Sequence, residues 1–360
     1  MALLRVHNGA AELYAAERSA YAAQLAETEI ISRVNFDAAL GPLKQFLDDP
    51  EVQDVNVNPD GRIWVSRGER GKVAAAETMR TEVRETLIGM LANRQHRAVD
   101  RLHSRLAGDL PYYDVRFQCF APPVADWALC LRCHATTVRS LDAMRDMFEG
   151  SSAHALSRPP PSAAGFAGAI KSAIAGGDNI GIVGRPGAGK TTLLNTFLHE
   201  SAQVRPTARL VTLEDRRELR ASHPDTLQLY ARVEQAHPDG TRYEYGFVDL
   251  LSDALRTSFD VLAFGELRDG EAALALLMAL NCGTSGLAFT LHADSATDAL
   301  SRLEDLVRLA KAPVIRRTIA RFVHAIVFLE MDDQRRRRVV EMVRVLGVDA
   351  NDEYVLERVA

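Results

Sequence analysis

The segment Gly184–Thr192 constrains the fold more than any other part of the chain. It reads Gly-Arg-Pro-Gly-Ala-Gly-Lys-Thr-Thr and matches the pattern G-x-x-x-x-G-K-[ST] of a phosphate-binding loop. An apolar run, Ile180–Val183, precedes it, and the spacing of apolar residues predicts a helix over residues 191–200. A strand, a glycine loop and a helix in this order predict an α/β fold that binds phosphate at a helix N-terminus.

The pattern assigns roles to the residues of this loop. Glycines let the backbone curl so that successive N–H groups point at one anion. We expect Lys190 to reach the β- and γ-phosphates of ATP, Thr191 to hold Mg²⁺ and Thr192 to contact the α-phosphate. The alternative is a glycine-rich turn that binds nothing. The predicted nucleotide site consists of Gly184, Arg185, Pro186, Gly187, Ala188, Gly189, Lys190, Thr191 and Thr192.

Length and composition fit a water-soluble protein of two or three domains. The chain has 360 residues, of which 47% are hydrophobic and 25% charged. A net charge of −5 provides no general attraction to nucleic acid or anionic lipid. No apolar run approaches the ~18 residues of a membrane span, so none is expected. Residues 1–30 contain several glutamates and no apolar core, which argues against a secretory signal.

The order of patterns along the chain predicts four segments. Residues 1–30 are expected to form a helical arm, either a packing helix or a docking element. Residues 31–150 mix helical and strand patterns, including a hairpin turn at Asn58–Gly61. Residues 151–162 are rich in Ser and Pro and predict a linker. Residues 163–360 alternate strands with helices, which predicts a mostly parallel sheet covered by helices.

Three further apolar runs in the last segment end in polar residues. Glu214 and Asp215 follow Leu210–Leu213, and His292 follows Leu287–Leu291. The run Val261–Phe264 ends in Gly265 and Glu266. Because the carboxyl ends of parallel strands share one edge of a sheet, these side chains are expected to meet Lys190 around a single phosphate.

Chemical roles follow from that convergence. Glu266 is expected to polarise the water that attacks the γ-phosphate. The aspartate that often precedes this glutamate is Gly265 here, so water or Glu214 and Asp215 would complete the Mg²⁺ shell. His292 is expected to sense the γ-phosphate, with a satisfied core histidine as the alternative.

Several arginines are candidates for neutralising phosphate charge. Arg256 and Arg268 flank the Glu266 strand and are the first choice. Arg217 and its neighbours could face a phosphate or solvate the start of a helix. Arg116 and Arg132 lie on apolar strands of the first domain, and we hypothesise that they are buried and reach nucleotide held by the same or a neighbouring subunit.

Two other patterns have plainer explanations. The run 335–338 of four arginines suggests nucleic acid, but its place in a C-terminal hairpin favours a solvated turn and strand start. Residues 130–134, Cys-Leu-Arg-Cys-His, match the attachment signature of c-type haem. Haem attachment requires export, for which no signal is seen, so a strand bearing small residues is favoured. The four cysteines suggest a reducing compartment.

These motifs together resemble those of the secretion traffic ATPases of type II and type IV secretion, over nearly the whole chain. The loop matches Walker A, and Thr212–Leu219 is similar to the family's aspartate box, which contains Glu214, Asp215 and Arg217. Residues 254–268 resemble its Walker B region, where Gly before Glu is usual, and residues 283–293 its histidine box. Residues 40–43, 57–62 and 298–304 resemble the conjugation and tight-adherence pilus branch. Cys133 stands where a lysine is usual.

The resemblance implies an architecture and a mode of action. The expected fold is a RecA-like P-loop domain preceded by a smaller mixed α/β domain, with nucleotide between them. The expected assembly is a hexameric, Mg²⁺-dependent ATPase that hydrolyses ATP to ADP. It would act in the cytoplasm of a bacterium, against inner-membrane platform or secretion-channel proteins, without sequence-specific nucleic-acid binding. A nucleic-acid motor of related core fold and a nucleotide-gated scaffold are the alternatives.

Overall fold

The chain divides into two compact units, Met1–Thr136 and Thr137–Ala360. This computed structural model describes residues 29–67, 71–133, 138–147, 163–233, 244–314, 316–332 and 336–359. The division falls before the linker expected at 151–162 because Leu141 and Met144 pack into the core of the second unit with Phe166. That linker, and nearly all of the expected N-terminal arm, lie outside the described residues.

The first unit is built on a six-stranded antiparallel sheet. Its helical segments are α1 (29–40), a 3₁₀ turn (Gly41–Leu43), α2 (Lys44–Leu47) and α3 (Thr81–Arg94). Its strands are β1 (Asp54–Val57), β2 (Arg62–Arg67), β3 (Gly71–Thr78), β4 (Arg105–Asp109), β5 (Val115–Phe120) and β6 (Ala128–Cys133). They lie in the order β3-β2-β1-β6-β5-β4. This confirms a smaller domain that mixes helices and strands.

The predicted hairpin at Asn58–Gly61 joins β1 to β2. Val57 lies opposite Ile63, and the Asn58 N–H donates to the Arg62 carbonyl at 3.0 Å. Gly61 has a φ of 80°, and a Cβ there would lie 2.6 Å from the Met79 carbonyl oxygen. Glycine is therefore required both by the backbone conformation and by the close approach of a second segment.

The expectation of burial is wrong for Arg132 and holds only in part for Arg116. The Arg132 side chain is 68% exposed, and its Nε donates to Asp54 Oδ1 at 3.0 Å. Arg116 is half-buried, and it lies opposite Arg132 across β5 and β6, while Asp54 lies opposite Arg132 across β1 and β6. The three side chains form one row across the sheet, where a carboxylate from the neighbouring strand already serves as the anion that Arg132 requires. Whether the two arginines also reach a nucleotide stays a prediction.

The cysteines of the haem-like pattern lie on β6, as the strand interpretation predicts. Burial raises the pKa of the Cys133 thiol to about 12 and that of Cys130 in the same direction. Both thiols are therefore protonated near neutral pH. His134 lies outside the described residues.

The second unit is built on an eight-stranded sheet. Its helices are α4 (Ala163–Gly176), α5 (Lys190–Val204), α6 (Phe247–Ala254), α7 (Gly270–Asn281), α8 (Ala296–Leu309) and α9 (Arg316–Phe322), with a 3₁₀ turn at Asp142–Met147. Its strands are β7 (Ile180–Gly184), β8 (Leu210–Glu214), β9 (Thr226–Tyr230), β12 (Val261–Leu267), β13 (Leu287–Leu291), β14 (Ala325–Met331), β15 (Arg337–Val348) and β16 (Tyr354–Arg358). Two short strands, β10 (Arg232–Val233) and β11 (Glu244–Tyr245), pair separately.

The sheet order explains why the strand ends meet. The order is β16-β15-β14-β7-β13-β12-β8-β9, in which β14, β7, β13, β12, β8 and β9 are parallel and the β14–β15 and β15–β16 pairs are antiparallel. Alternate residues of the central strands belong to two cores, one with α4 and α5 and the other with α6, α7 and α8. Helices therefore cover both faces, which explains why these strands are continuously apolar in sequence. The mostly parallel sheet of the prediction is confirmed.

Within the described ranges, every helix is too short or too polar to cross a lipid bilayer.

Candidate functional site

The glycine loop joins β7 to α5 with the geometry that the sequence predicts. Gly184 has a φ of 153°, and a Cβ at this position would collide with the Leu329 carbonyl of β14. Gly189 has a φ of 95° and caps α5 without a side-chain hydrogen bond. The N-terminal N–H groups of α5 are thus left for an anion, and the helix dipole favours negative charge at the same point.

Lys190 is a buried cation held by weak, neutral partners. Its exposed fraction is 7%, and its Nζ donates to Nδ1 of His292 at 2.9 Å and to the Arg185 carbonyl at 3.4 Å. Burial lowers the pKa of Lys190 to about 8, against the opposing charges of Glu266 and Glu218. A phosphate oxygen would offer this ammonium a stronger partner than an imidazole does.

His292 and Arg268 hold Glu266 from two sides. Glu266 Oε1 lies 2.6 Å from His292 Nε2, and Oε2 accepts from Arg268 Nε at 2.6 Å. Burial alone would raise the pKa of Glu266, but the His292 hydrogen bond and the Arg268 charge lower it to about 2. With Lys190 protonated, the contacts assign the His292 proton to Nε2, so the imidazole accepts at Nδ1 and donates to Glu266.

Arg268 extends these contacts to the neighbouring strand β8. Its Nη1 donates to Asp215 Oδ2 at 2.7 Å. Lys190, His292, Glu266, Arg268 and Asp215 therefore form an unbroken chain across the ends of three parallel strands. We call these five residues the charge chain. The structure brings together every strand-end side chain that the sequence predicts here except Glu214.

Glu214 does not face the site, contrary to its expected place in a metal shell. Its exposed fraction is 0%, its Oε2 accepts from the backbone N–H groups of Glu218 and Leu219, and its Oε1 accepts from the Thr212 hydroxyl. Burial outweighs these bonds and raises the pKa of Glu214 to about 7. Because both oxygens accept hydrogen bonds within the fold, Glu214 anchors the turn after β8. Whether it also contributes to a metal shell stays a prediction.

The same turn supplies a carboxylate that the sequence analysis missed. Thr191 Oγ1 donates to Glu218 Oε2 at 3.3 Å. Asn195 of α5 fixes this turn, donating to the Glu218 carbonyl and accepting from the Arg220 N–H. Glu218 lies inside the aspartate-box segment, but its spacing does not distinguish it from neighbouring residues. Its contact with Thr191 depends on an irregular turn that the sequence pattern does not predict.

The oxygens of Thr191 and Glu218 suit Mg²⁺, which prefers hard oxygen ligands. Within the described ranges, His, Cys, Asp and Glu side chains form no group of three or more that could hold a metal. Mg²⁺ commonly takes one or two protein oxygens and completes its octahedron with water and substrate phosphates. The residues present therefore fit a metal that arrives with a nucleotide.

The packing explains the glycine before Glu266. A Cβ on Gly265 would lie 3.1 Å from Cγ of Glu214, and the Gly265 carbonyl accepts from the Thr290 hydroxyl at 2.6 Å. The aspartate found here in many phosphate-loop enzymes would crowd the buried Glu214 carboxylate.

Two of the candidate arginines point elsewhere. Arg256 is tied to the end of α6 by bonds to Ser252 and Asp253, and it precedes β12, at the end of that strand opposite Glu266. The Arg217 guanidinium lies over the Tyr230 ring at 4.7 Å. Within this chain, neither arginine belongs to the charge chain.

The three described residues of the arginine run all contact other parts of the protein. Arg336 donates to Asp332 Oδ2 at 2.8 Å, Arg338 is buried with its Nε 3.8 Å from the same oxygen, and Arg337 donates to the Gly187 carbonyl at 3.2 Å. The expected strand start is confirmed, because β15 begins at Arg337. Arg338 is buried, Arg336 and Arg337 remain partly exposed, and Arg335 lies outside the described residues.

Comparisons with known proteins agree with this geometry. Residues 133–344 match the family model described as type II/IV secretion system protein. The conjugal transfer protein TrbB of Rhizobium radiobacter is 33% identical over 318 residues, which cover 87% of this chain and 90% of TrbB. The type IV secretion system protein PtlH of Bordetella pertussis is 28% identical over 75% of this chain and 81% of PtlH.

A solved structure shows the same fold. The pilus retraction motor PilT with bound ADP aligns with 89% of this chain and 81% of its own, at a TM-score of 0.55 and 15% sequence identity. The match with the family model over more than half of the residues, together with the extended similarity to TrbB, assigns the chain. It belongs to the type II/IV secretion system protein family.

Proposed function

We propose that this protein hydrolyses ATP to ADP and phosphate with Mg²⁺ and uses the free energy to drive an envelope-spanning machine. The observation that carries the proposal is the charge chain beside the glycine loop. Within it, Lys190, Glu266 and Arg268 are joined by one set of contacts, which supports the role of a cation for the phosphates, a carboxylate for the water and a second cation. A purely structural ion network has no need of a glycine loop and a helix N-terminus at one end, whereas both suit the binding of nucleotide phosphates.

Glu266 is the group that orients the attacking water. Its low pKa keeps it ionised throughout the physiological pH range, so it can accept a hydrogen bond from water at any working pH. Contacts to His292 and Arg268 fix both of its oxygens. A carboxylate aimed from the end of a buried strand loses little entropy when substrate arrives.

Lys190 and Arg268 supply positive charge to the phosphoryl group as it is transferred. Lys190 lies at the first turn of α5, and Arg268 lies beside Glu266. Bound Mg²⁺, held by Thr191 and Glu218, would supply further neutralisation of phosphate charge. Positively charged groups already in place stabilise charge that develops in the transition state without a reorganisation cost.

His292 couples the nucleotide to the protein. His292 bonds to Lys190 on one side and to Glu266 on the other. A phosphate that attracts Lys190 would therefore take one of these two partners away from His292. The residues after His292 lead directly into α8, whose N-cap is Ser295. Loss of the Lys190 contact therefore provides a route from phosphate binding to helix movement.

The names of the relatives suggest the machine that is served. TrbB is a conjugal transfer protein, PtlH a type IV secretion system protein and PilT a retraction motor that binds ADP. We extend these roles to a hexamer at the cytoplasmic face of a bacterial inner membrane, powering conjugation, secretion or pilus assembly with platform or channel proteins. A nucleic-acid motor finds no support in the arginine run, whose described members contact Asp332 and Gly187.

Phosphate release from the purified protein tests the proposal. Wild type should turn over Mg-ATP without nucleic acid, and Glu266→Gln should lose about 100-fold or more of that rate, the usual contribution of a positioned base. Both proteins should bind ADP equally. Glu357→Gln makes the same chemical change at an exposed position of β16 and should leave the rate unchanged.

Three outcomes would contradict the proposal. Negligible turnover by the wild-type oligomer would favour a nucleotide-gated scaffold. A rate that appears only with added DNA or RNA would favour a nucleic-acid motor. A Glu266→Gln variant as active as Glu357→Gln would remove Glu266 from its assigned role.

A further inference from the structure

The hairpin that follows the last parallel strand is built around a buried aspartate. Asp332 comes directly after β14, and its side chain is 0% exposed. Its Oδ1 accepts from the Arg336 N–H at 2.8 Å, its Oδ2 accepts from Arg336 Nε, and Arg338 Nε lies 3.8 Å from Oδ2. Two arginines that are two residues apart are thus directed to the same carboxylate.

Arg337 must point the other way. Successive side chains of a strand alternate between its two faces, so the residue between Arg336 and Arg338 is turned away from Asp332. Its side chain reaches the phosphate loop, where its Nε donates to the Gly187 carbonyl at 3.2 Å. Its Cδ lies 3.0 Å from the point that a Cβ of Gly189 would occupy.

The neighbouring strand brings this hairpin to the loop. β14 pairs with β7 in parallel, and Leu329 lies opposite Gly184, the first residue of the loop. Both sides of the hairpin therefore approach the loop, β14 at its beginning and Arg337 near its middle. Asp332 fixes the spacing between them.

A bond to the Gly187 carbonyl has a consequence for anion binding. A loop that turns its N–H groups toward phosphate must turn carbonyls the other way, and those carbonyls need donors of their own. A guanidinium is always charged and holds a planar set of donors, so it satisfies such a carbonyl at every working pH. Without this donor, the flexible glycine peptide can rotate and bring its carbonyl toward the phosphates.

We propose that Arg337 is a positioning residue of the phosphate loop, which the hairpin holds against Gly187 in the shape that receives a nucleotide. Arg337 acts through the loop and is not assigned a contact with substrate. The proposal rests on the proposed nucleotide binding, and it adds a residue from outside the recognised motifs.

Equilibrium binding of a fluorescent ADP derivative with Mg²⁺ tests the proposal. Arg337→Gln should weaken binding about tenfold, the scale of a lost hydrogen bond to a charged group. Arg344→Gln removes the same charge from an exposed position further along β15 and should change binding by less than about twofold. Steady-state hydrolysis should show the KM for ATP raised more than kcat is lowered, because a misshapen loop weakens ground-state and transition-state binding together.

The outcomes separate this inference from the proposed function. Wild type that fails to bind Mg-ADP would overturn both. Wild type that binds, with Arg337→Gln binding equally well, would overturn this inference alone. If Arg337→Gln does not fold, Arg337→Lys provides a second test. Lysine keeps the positive charge but lacks the planar donor set of arginine. Unchanged affinity and KM in Arg337→Lys would also overturn the role assigned to the guanidinium.

Discussion

Arg84 in the first unit and Lys190 in the second are both buried cations, but their surroundings differ. Arg84 is 2% exposed and donates to the Asn58 carbonyl at 2.7 Å, the Asp126 carbonyl at 3.2 Å and the Thr81 hydroxyl at 2.7 Å. Lys190 is 7% exposed and has one good acceptor, an imidazole nitrogen. Both cations are held by neutral acceptors. Arg84 makes its bonds to two backbone carbonyls and a hydroxyl, whereas the shortest bond of Lys190 is to a side chain, and its bond to the Arg185 carbonyl is long at 3.4 Å.

The difference separates a structural charge from a functional one. Backbone carbonyls cannot leave Arg84 without unfolding the hairpin and loop that carry them, so its bonds are permanent. His292 can rotate away from Lys190, and the lowered pKa shows that the protein has not compensated the burial of this ammonium. We infer that a buried cation with exchangeable partners is prepared for a ligand.

The largest expected effect comes from removing the exchangeable cation. Lys190→Ala should lower ATP turnover by about 1,000-fold or more, because the phosphates lose their main positive partner. The fold should remain, since the substitution also relieves a costly buried charge. Phosphate release and thermal unfolding of the same preparation measure both. Near-normal turnover would end the assignment of this loop as the nucleotide site.

Substitution of Arg84 should lower the stability of the fold, in contrast to the loss of activity expected when Lys190 is substituted. Arg84→Met should destabilise the first unit by about 3 kcal/mol, because two buried carbonyls and a hydroxyl lose their donor. Urea denaturation followed by tryptophan fluorescence would measure the loss through Trp64 and Trp127, both in this unit. Arg80→Met, at the exposed residue that precedes α3 and makes no side-chain cap, should cost less than about 0.5 kcal/mol. Equal effects of the two substitutions would refute the distinction.

The sequence predicted the parts of the site that depend on regular structure. The glycine loop, Glu266 and His292 follow directly from strands whose length and apolar character are visible in the sequence. Their meeting at one edge needs only the rule that parallel strands end together. The same reasoning predicted the mostly parallel sheet and the hairpin at Asn58–Gly61.

The sequence could not predict the positions of site residues that depend on irregular turns or on contacts between distant segments. Glu214 and Glu218 lie four residues apart, and the turn between them buries the first and brings the second to Thr191. Arg256 and Arg268 lie on either side of one strand, but only the C-terminal side of that strand meets the loop. The contact of Arg337 with Gly187 joins segments 150 residues apart and leaves no local pattern.

Glu214 provides a sharper test of the distinction between structural and functional charges. It has backbone partners, as Arg84 does, and a shifted pKa beside the nucleotide site, as Lys190 does. Backbone groups hold it, as they hold Arg84, yet it lies beside the charge chain and its pKa is raised to about 7. A raised carboxyl pKa means that the folded state binds the proton more tightly, so the wild-type protein loses stability as pH rises from about 4.5 to 7. Glu214→Gln can keep the bonds without the charge. This variant should exceed wild type in stability by about 3 kcal/mol at pH 8, with a smaller difference at pH 5.

The activity of the same variant decides between a structural and a metal-binding role. If permanent backbone partners mark a structural group, Glu214→Gln should hydrolyse ATP within about threefold of wild type and need the same Mg²⁺ concentration. Glu218→Gln, which changes the carboxylate beside Thr191, should raise the Mg²⁺ requirement. Titration of turnover with Mg²⁺ at fixed ATP measures both variants. A higher Mg²⁺ requirement in Glu214→Gln alone would restore the sequence-based assignment of Glu214 to the Mg²⁺ shell. It would also show that hydrogen bonds from backbone donors do not distinguish a structural charge from a functional one.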